Sequence, residues 1–304
     1  GIKLTNDEKV LIKTKKPWGI ILFSRNIQNV KQLKHLIDNI KDCSKDRNYP
    51  ILIDQEGGQI SRLNKIIDLS IFSQKYFGQL YINDKFNFES YYKIYIDNVC
   101  KILKEVGINI NTVPVLDIRR KITHSIISNR SFSSDTNVVT ELGKLCVKFY
   151  EKNKIATVTK HIPGHGLSVL DTHLDLPIIK NKKKQLMKKD FQPFKKCKSL
   201  FAMTAHIIYS DYDPKFTATH SNIVINKVIR KLISFKGILI SDDISMKALK
   251  YGLKENAIKA IDAGCNLVLH CNGNIREMSK LLEIVPTIDK FTQKKTSDFY
   301  KFLG

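Results

Sequence analysis

The sequence predicts an α/β chain folded as a (β/α)8 TIM barrel, one domain over residues 1–304, and three observations lead there. Short β-branched and apolar runs recur along the whole 304-residue chain. Most of them precede a stretch of helical periodicity. Most also end in a polar or charged residue, which is what a parallel barrel needs on the face where its chemistry is done.

The elements follow in order. The run at 18–23 ends at Ser24-Arg25-Asn26 and leads to a helical pattern at 30–40. The run at 51–53 leads into Asp54-Gln55-Glu56-Gly57-Gly58, whose two glycines suggest a tight turn that directs Glu56 away from the cleft. A helix over 89–106 precedes a strand at 112–116 that ends before Asp117, a carboxylate placed to tie the barrel top together. A helix over 138–152 precedes the strand at 155–159, which delivers Lys160 and His161. Further strands at 201–205, 237–240 and 267–269 end at His206, at Ser241-Asp242-Asp243 and at His270, with a helix over 253–263 between the last two. Asp243 is the better placed of its pair to cap whatever follows. An eight-stranded barrel needs one strand more, and the opening Gly1-Ile2-Lys3-Leu4 predicts that the first strand is partly truncated. No Ser/Gly/Pro-rich linker and no repeat of 20–50 residues divides the chain.

The stretch 160–177, KHIPGHGLSVLDTHLDLP, carries the clearest chemical signal: three histidines and two aspartates on a segment that Pro163, Gly164 and Gly166 keep out of regular structure. Such a loop at the mouth of a strand suits proton transfer. His161 and His165 have the spacing of a helical zinc pair, but Pro163-Gly164 removes the helix that would align them, so no metal is expected. Trp18 and the aromatic residues of 91–95 are expected to pack on outer helices.

These residues resemble a known family. KHIPGHG followed by DTH, DQEGGQISRL from Asp54, PVLDI from Pro114, NRSFSSD from Asn129 and SDDISMKAL around Asp242 are similar to the β-N-acetylhexosaminidases of glycoside hydrolase family 3, over residues 1 to about 273. The bacterial enzymes that remove N-acetylglucosamine from recycled peptidoglycan fragments are the most alike, being a barrel alone. The resemblance implies a retaining exo-acting hydrolase of GlcNAc-anhydroMurNAc units with no cofactor. It makes Asp242 the nucleophile, His173 the general acid and then base, and Asp171 the group that orients His173. Histidine's ordinary pKa of about 6.5 suits both proton transfers near neutrality. Asp54, Arg62, Arg130, Lys160 and His161 would surround the sugar hydroxyls; the bland reading of Lys160 and Arg130 is that they neutralise a buried carboxylate such as Asp54 or Asp117. The chain departs from the family pattern at Ser128, where a glycine is usual, and at Asp175, which adds a carboxylate near His173. A phosphorylase and a catalytically silent sugar-binding barrel are the alternatives.

Lys and Arg number 51 against 29 Asp and Glu, a net charge of +22. The excess is spread along the chain, with one dense run at 180–189 and no aromatic-basic recognition motif, so nucleic acid is not expected as a partner. Six cysteines without CxxC spacing read as free thiols of a reducing compartment, and no apolar run approaches membrane-spanning length. The expectation is a cytoplasmic monomer acting on a small carbohydrate.

Overall fold

Side chains alternate across a strand, so each short apolar run can line two interfaces at once. The computed structural model describes residues 1–120, 123, 129–168 and 176–304. Within them β1 (Ile20–Leu22), β2 (Ile51–Ile53), β3 (Ile110–Asn111), β4 (Ala156–Ile162), β6 (Phe201–Thr204), β8 (Ile238–Asp243) and β9 (Leu267–Leu269) form one parallel sheet, paired in chain order. A short parallel pair, β5 (Ile178–Ile179) with β7 (Ile208–Tyr209), stands apart. The helices are α1 (Asn6–Lys15), α2 (Val30–Ser44), α3 (Gln74–Asn83), α4 (Lys85–Val106), α5 (Thr136–Lys152), α6 (Lys183–Lys188), α7 (Gln192–Lys196), α8 (Leu253–Ala263), α9 (Ile275–Ile284) and α10 (Lys290–Leu303), with a π-helical stretch at Val224–Leu232. A sheet wound in one direction without reversal curls like a barrel, whereas a doubly wound sheet reverses its order.

One set of strand residues, including Ile51, Ile53, Ala202 and Leu239, faces the surrounding helices in the larger apolar cluster. The alternate set, Leu52, Ile110, Ala156, Val158, Phe201, Met203, Ile238 and Ile240, fills the interior of the curl. That interior is closed at one end by α10. Phe299, fully buried, stands 5.4 Å from the Phe201 ring and 6.2 Å from Trp18, while Trp18 Nε1 donates to Thr296. Lys154 Nζ donates to the Phe302 carbonyl. Trp18, Lys154 and Leu200 all precede strands, so the helix plugs the N-terminal end of the sheet and leaves the C-terminal end for the site. Trp18 is therefore a packing residue. In the 91–95 run, Tyr92 and Tyr95 pack against Phe77, but Tyr91 is exposed.

Two expectations are corrected. The strand expected at 112–116 is at Ile110–Asn111 instead, because Pro114 has no N–H to give a ladder. Beyond it only Val115 bridges to Lys160. A closed eight-stranded barrel is not formed by the described residues. The segment expected to begin the first strand leads instead into α1, where Thr5 and Glu8 form a reciprocal cap. A cavity of about 710 Å³ lies between the β1 and β9 regions, lined by Ile20, Leu22, Leu267 and Leu269 among others.

Replacing Phe299 by Ala removes the ring that seals the interior, and should lower unfolding free energy by about 3–4 kcal/mol in urea titration. A loss below about 1 kcal/mol would mean that α10 does not support the curl.

Candidate active site

Carboxylates and cations gather where β2, β4 and β8 end, and burial forces them to pair. Asp54 directly follows β2. Its Oδ1 accepts from Lys160 Nζ at 3.0 Å and from the Thr112 hydroxyl, and its Oδ2 accepts from Arg62 Nη2 at 3.4 Å. Lys160, within β4, spends its three protons on Asp54, on Thr112 Oγ1 at 2.9 Å and on Glu56 Oε1 at 2.6 Å. Arg130 grips Glu56 with both forks, Nε at 2.8 Å and Nη2 at 2.9 Å. Its Nη1 makes no bond among the described residues. Burial alone would raise the pKa of Asp54 and Glu56, but Lys160 with Arg62 holds Asp54 far below its usual range, and Arg130 with Lys160 lowers Glu56.

The second half of the cluster hangs on Asp117, which is fully buried. Its Oδ2 accepts from His161 Nδ1 at 2.7 Å, and its Oδ1 accepts from the backbone N–H groups of His161 and His165 at 3.3 and 2.6 Å. The carboxylate fixes the proton on His161 Nδ1, so Nε2 carries the lone pair, 3.4 Å from Arg130 Nη2. Asp117 thus ties the strand ends together as expected. His165 has its pKa pushed down to about 4, chiefly by burial and then by His161, and stays neutral near pH 7.

Asp242 lies within β8, half-buried, and its Oδ1 accepts from the N–H of Asp243 at 2.8 Å. Burial would raise its pKa, yet the neighbouring His206 and His161 side chains, followed by the Asp243 N–H, lower it. Among the described residues it has no ion-pair partner, whereas Asp54 and Glu56 each pair with a cation and Asp117 accepts from the His161 ring. Asp243 Oδ1 accepts from the N–H groups of Ser245 and Cys271 and its Oδ2 from the Ser245 hydroxyl, so it caps a turn and ties it to the segment after β9, the next helix beginning only at Leu253.

The structure brings together Asp54, Arg62, Arg130, Lys160, His161 and Asp242 on one face. Asp171 and His173, and with them Ser128 and Asp175, lie outside the described residues. The pairing reading of Lys160 and Arg130 holds, but with Glu56 as the shared partner rather than Asp117. Glu56 itself is a correction: Gly57 and Gly58 do make a tight turn, at φ +84° and +61°, yet the carboxylate points inward and its side chain is only 1% exposed. Arg62 is the most open member, 26% exposed, with a buried Nε that has no partner among the described residues. Thr112 and His206 were not singled out for the site. His206 was marked as the end of the run at 201–205 but given no role, whereas Thr112 opens the run expected at 112–116, and only the observed strand end at Asn111 brings it to the site.

A family model described as the glycosyl hydrolase family 3 N terminal domain matches residues 1–298. The chain is 30% identical over 280 residues to a beta-hexosaminidase of Haemophilus influenzae, covering 90% of this chain and 77% of that protein. It is 33% identical over 278 residues to one of Neisseria meningitidis, covering 90% and 76%. Among solved structures it is similar to NagZ from Neisseria gonorrhoeae in complex with N-trifluoroacetyl-D-glucosamine, with a TM-score of 0.87 at 29% identity, covering 100% of this chain and 87% of that one. It is also similar to a family 3 beta-N-acetylglucosaminidase from Paenibacillus, with a TM-score of 0.87 at 26% identity, but spans only 59% of that longer chain.

The charge pairing has a stability consequence of known sign. Glu56 has a depressed folded pKa, so its contribution is fully present above the unfolded value of about 4.3 and is lost as pH falls through the folded value. Glu56→Gln should cost about 2–3 kcal/mol at pH 7 in urea titration, and the gap to the unsubstituted protein should narrow below about pH 4. A gap that does not change with pH would contradict the pairing.

Proposed function

Since the chain belongs to glycosyl hydrolase family 3 and is a glycoside hydrolase, we propose that it is a retaining exo-β-N-acetylglucosaminidase that removes terminal N-acetylglucosamine from peptidoglycan-derived muropeptides. Residues 1–304 act as one catalytic unit, as a monomer, in the cytoplasm. The six free thiols support a reducing compartment. Among the described residues no helix is long and apolar enough to cross a membrane.

The observation that carries the reading is Asp242, its pKa lowered and without an ion pair among the described residues, beside a floor of alternating charges. In the first step its carboxylate attacks the anomeric carbon while the glycosidic C–O bond breaks and the leaving oxygen takes a proton. That proton would come from His173, oriented by Asp171. In the second step the same imidazole takes a proton from water, which attacks the anomeric carbon and releases Asp242. A histidine acid leaves the covalent intermediate with one fewer negative charge nearby than a second carboxylate would.

Sugar hydroxyls would meet Asp54 Oδ2, the exposed part of the Arg62 guanidinium, Arg130 Nη1 and the His161 Nε2 lone pair. Lys160, saturated by its three partners, serves this binding by holding Asp54 and Glu56 in place. This division gives the binding residues preset directions, which lowers the reorganisation needed as charge develops at the anomeric carbon.

Release of 4-nitrophenol from its N-acetyl-β-glucosaminide, without release from the plain β-glucoside and without dependence on added phosphate, is the expected result. Asp242→Ala should lower kcat by at least about 1000-fold while sugar binding stays measurable. Undiminished turnover in that variant would end the mechanism, and turnover that requires phosphate would make the protein a phosphorylase.

A further inference from the structure

His206, which follows β6, has a role that the proposed mechanism does not use. The ring is buried, 1% exposed, and both nitrogens are engaged: Nδ1 lies 2.7 Å from Thr219 Oγ1 and Nε2 lies 2.9 Å from the backbone carbonyl of Asp243. A carbonyl only accepts, so Nε2 carries the proton. Burial, the largest influence on the ring, lowers its pKa and favours the neutral form. In that form Nδ1 accepts from the Thr219 hydroxyl, and Thr204 Oγ1, 2.8 Å from Thr219 Oγ1, donates in turn. Thr204 and Thr219 are fully buried, so the chain of donors from Thr204 to the Asp243 carbonyl is shielded from water.

The carbonyl that receives this bond is at a particular place in the sheet. Between β8 and β9 the register shifts: Ile240 pairs with Leu267 and Asp243 with Leu269, so Ser241 and Asp242 on β8 face Val268 alone on β9. A bulge of this kind breaks the regular ladder and turns the strand. Asp242 sits inside it. Its carboxylate leans on the N–H of Asp243, and the far side of that same residue is held by His206. On the β9 side, Ser241 Oγ accepts from the Leu269 N–H and Ile244 N–H donates to the Leu269 carbonyl.

We propose that His206 is a positioning residue for the glycosyl transfer: by donating from Nε2 to the Asp243 carbonyl it locks the bulged end of β8 and so fixes the direction of the Asp242 carboxylate. The inference rests on Asp242 being the nucleophile. His206 touches no reacting atom in this account; it acts through the backbone between Asp242 and Ile244, and Thr219 acts through His206 by holding its tautomer.

The test compares kcat and KM on 4-nitrophenyl N-acetyl-β-glucosaminide for His206→Phe, His206→Gln and Thr219→Val, with Asp242→Ala alongside and a thermal midpoint for each. His206→Phe should lower kcat about 100-fold with KM changed less than about threefold, because a nucleophile displaced by about 1 Å loses rate rather than sugar affinity. His206→Gln, whose amide N–H can reach the same carbonyl, should recover to within about tenfold of the unsubstituted protein. Thr219→Val should lose about five- to tenfold in kcat and carries the test if His206→Phe does not fold. Turnover within about twofold of unsubstituted in both His206→Phe and Thr219→Val, a loss confined to KM, or a Gln variant as impaired as Phe would each overturn the proposal. An inactive Asp242→Ala beside a fully active His206→Phe would sink this inference alone; an active Asp242→Ala would sink the mechanism beneath it.

Discussion

The organisation of this molecule depends on the cost of burying carboxylates. Asp54, Glu56 and Asp117 are removed from water at the C-terminal end of the sheet, where an unpaired charge costs several kcal/mol. Lys160 and Arg130 answer that cost for Glu56, Lys160 and Arg62 for Asp54, and His161 for Asp117. Because Lys160 links Asp54 to Glu56, Arg130 links Glu56 to His161, and His161 reaches Asp117, the residues from β2, β4 and the loops after β3 form one connected lattice rather than separate pairs. Asp242 borders the lattice without being neutralised by it, and its low pKa follows from the surrounding fields and one backbone N–H. Among the described residues the lattice also sets which donors and acceptors remain for a ligand.

The sheet supplies the frame that makes this possible. Strands of two to seven residues are short, yet their C-terminal residues arrive on one face because all seven are parallel. At the opposite end α10 drives Phe299 between Trp18 and Phe201 and closes the interior. The two ends thus have different work: apolar packing below, paired charge above.

Much of this was legible in the sequence. The positions of six strands follow from β-branched or apolar runs ending in a polar residue, and Asp54, Lys160, His161 and Asp242 follow from that same rule. What could not be read has physical reasons. The run at 112–116 is apolar and β-branched, but Pro114 cannot donate, so the ladder stops at Asn111. Glycines after Glu56 announce a turn without saying which side of it the carboxylate takes; only the convergence of Arg130 and Lys160 from distant segments decides that. The part played by α10 depends on a tertiary contact between residues nearly three hundred positions apart, for which local periodicity carries no signal.

The central claim is that Asp242 forms the covalent bond to the sugar. It is tested most directly by reacting the protein with a 5-fluoro derivative of N-acetyl-β-glucosaminyl fluoride, which slows both steps but leaves a good departing group, and then locating the adduct by intact-mass and peptide mass spectrometry. The account predicts one sugar per chain, attached at Asp242. An adduct on Asp54 or Asp243, or rapid turnover with no adduct and none formed on quenching, would contradict it.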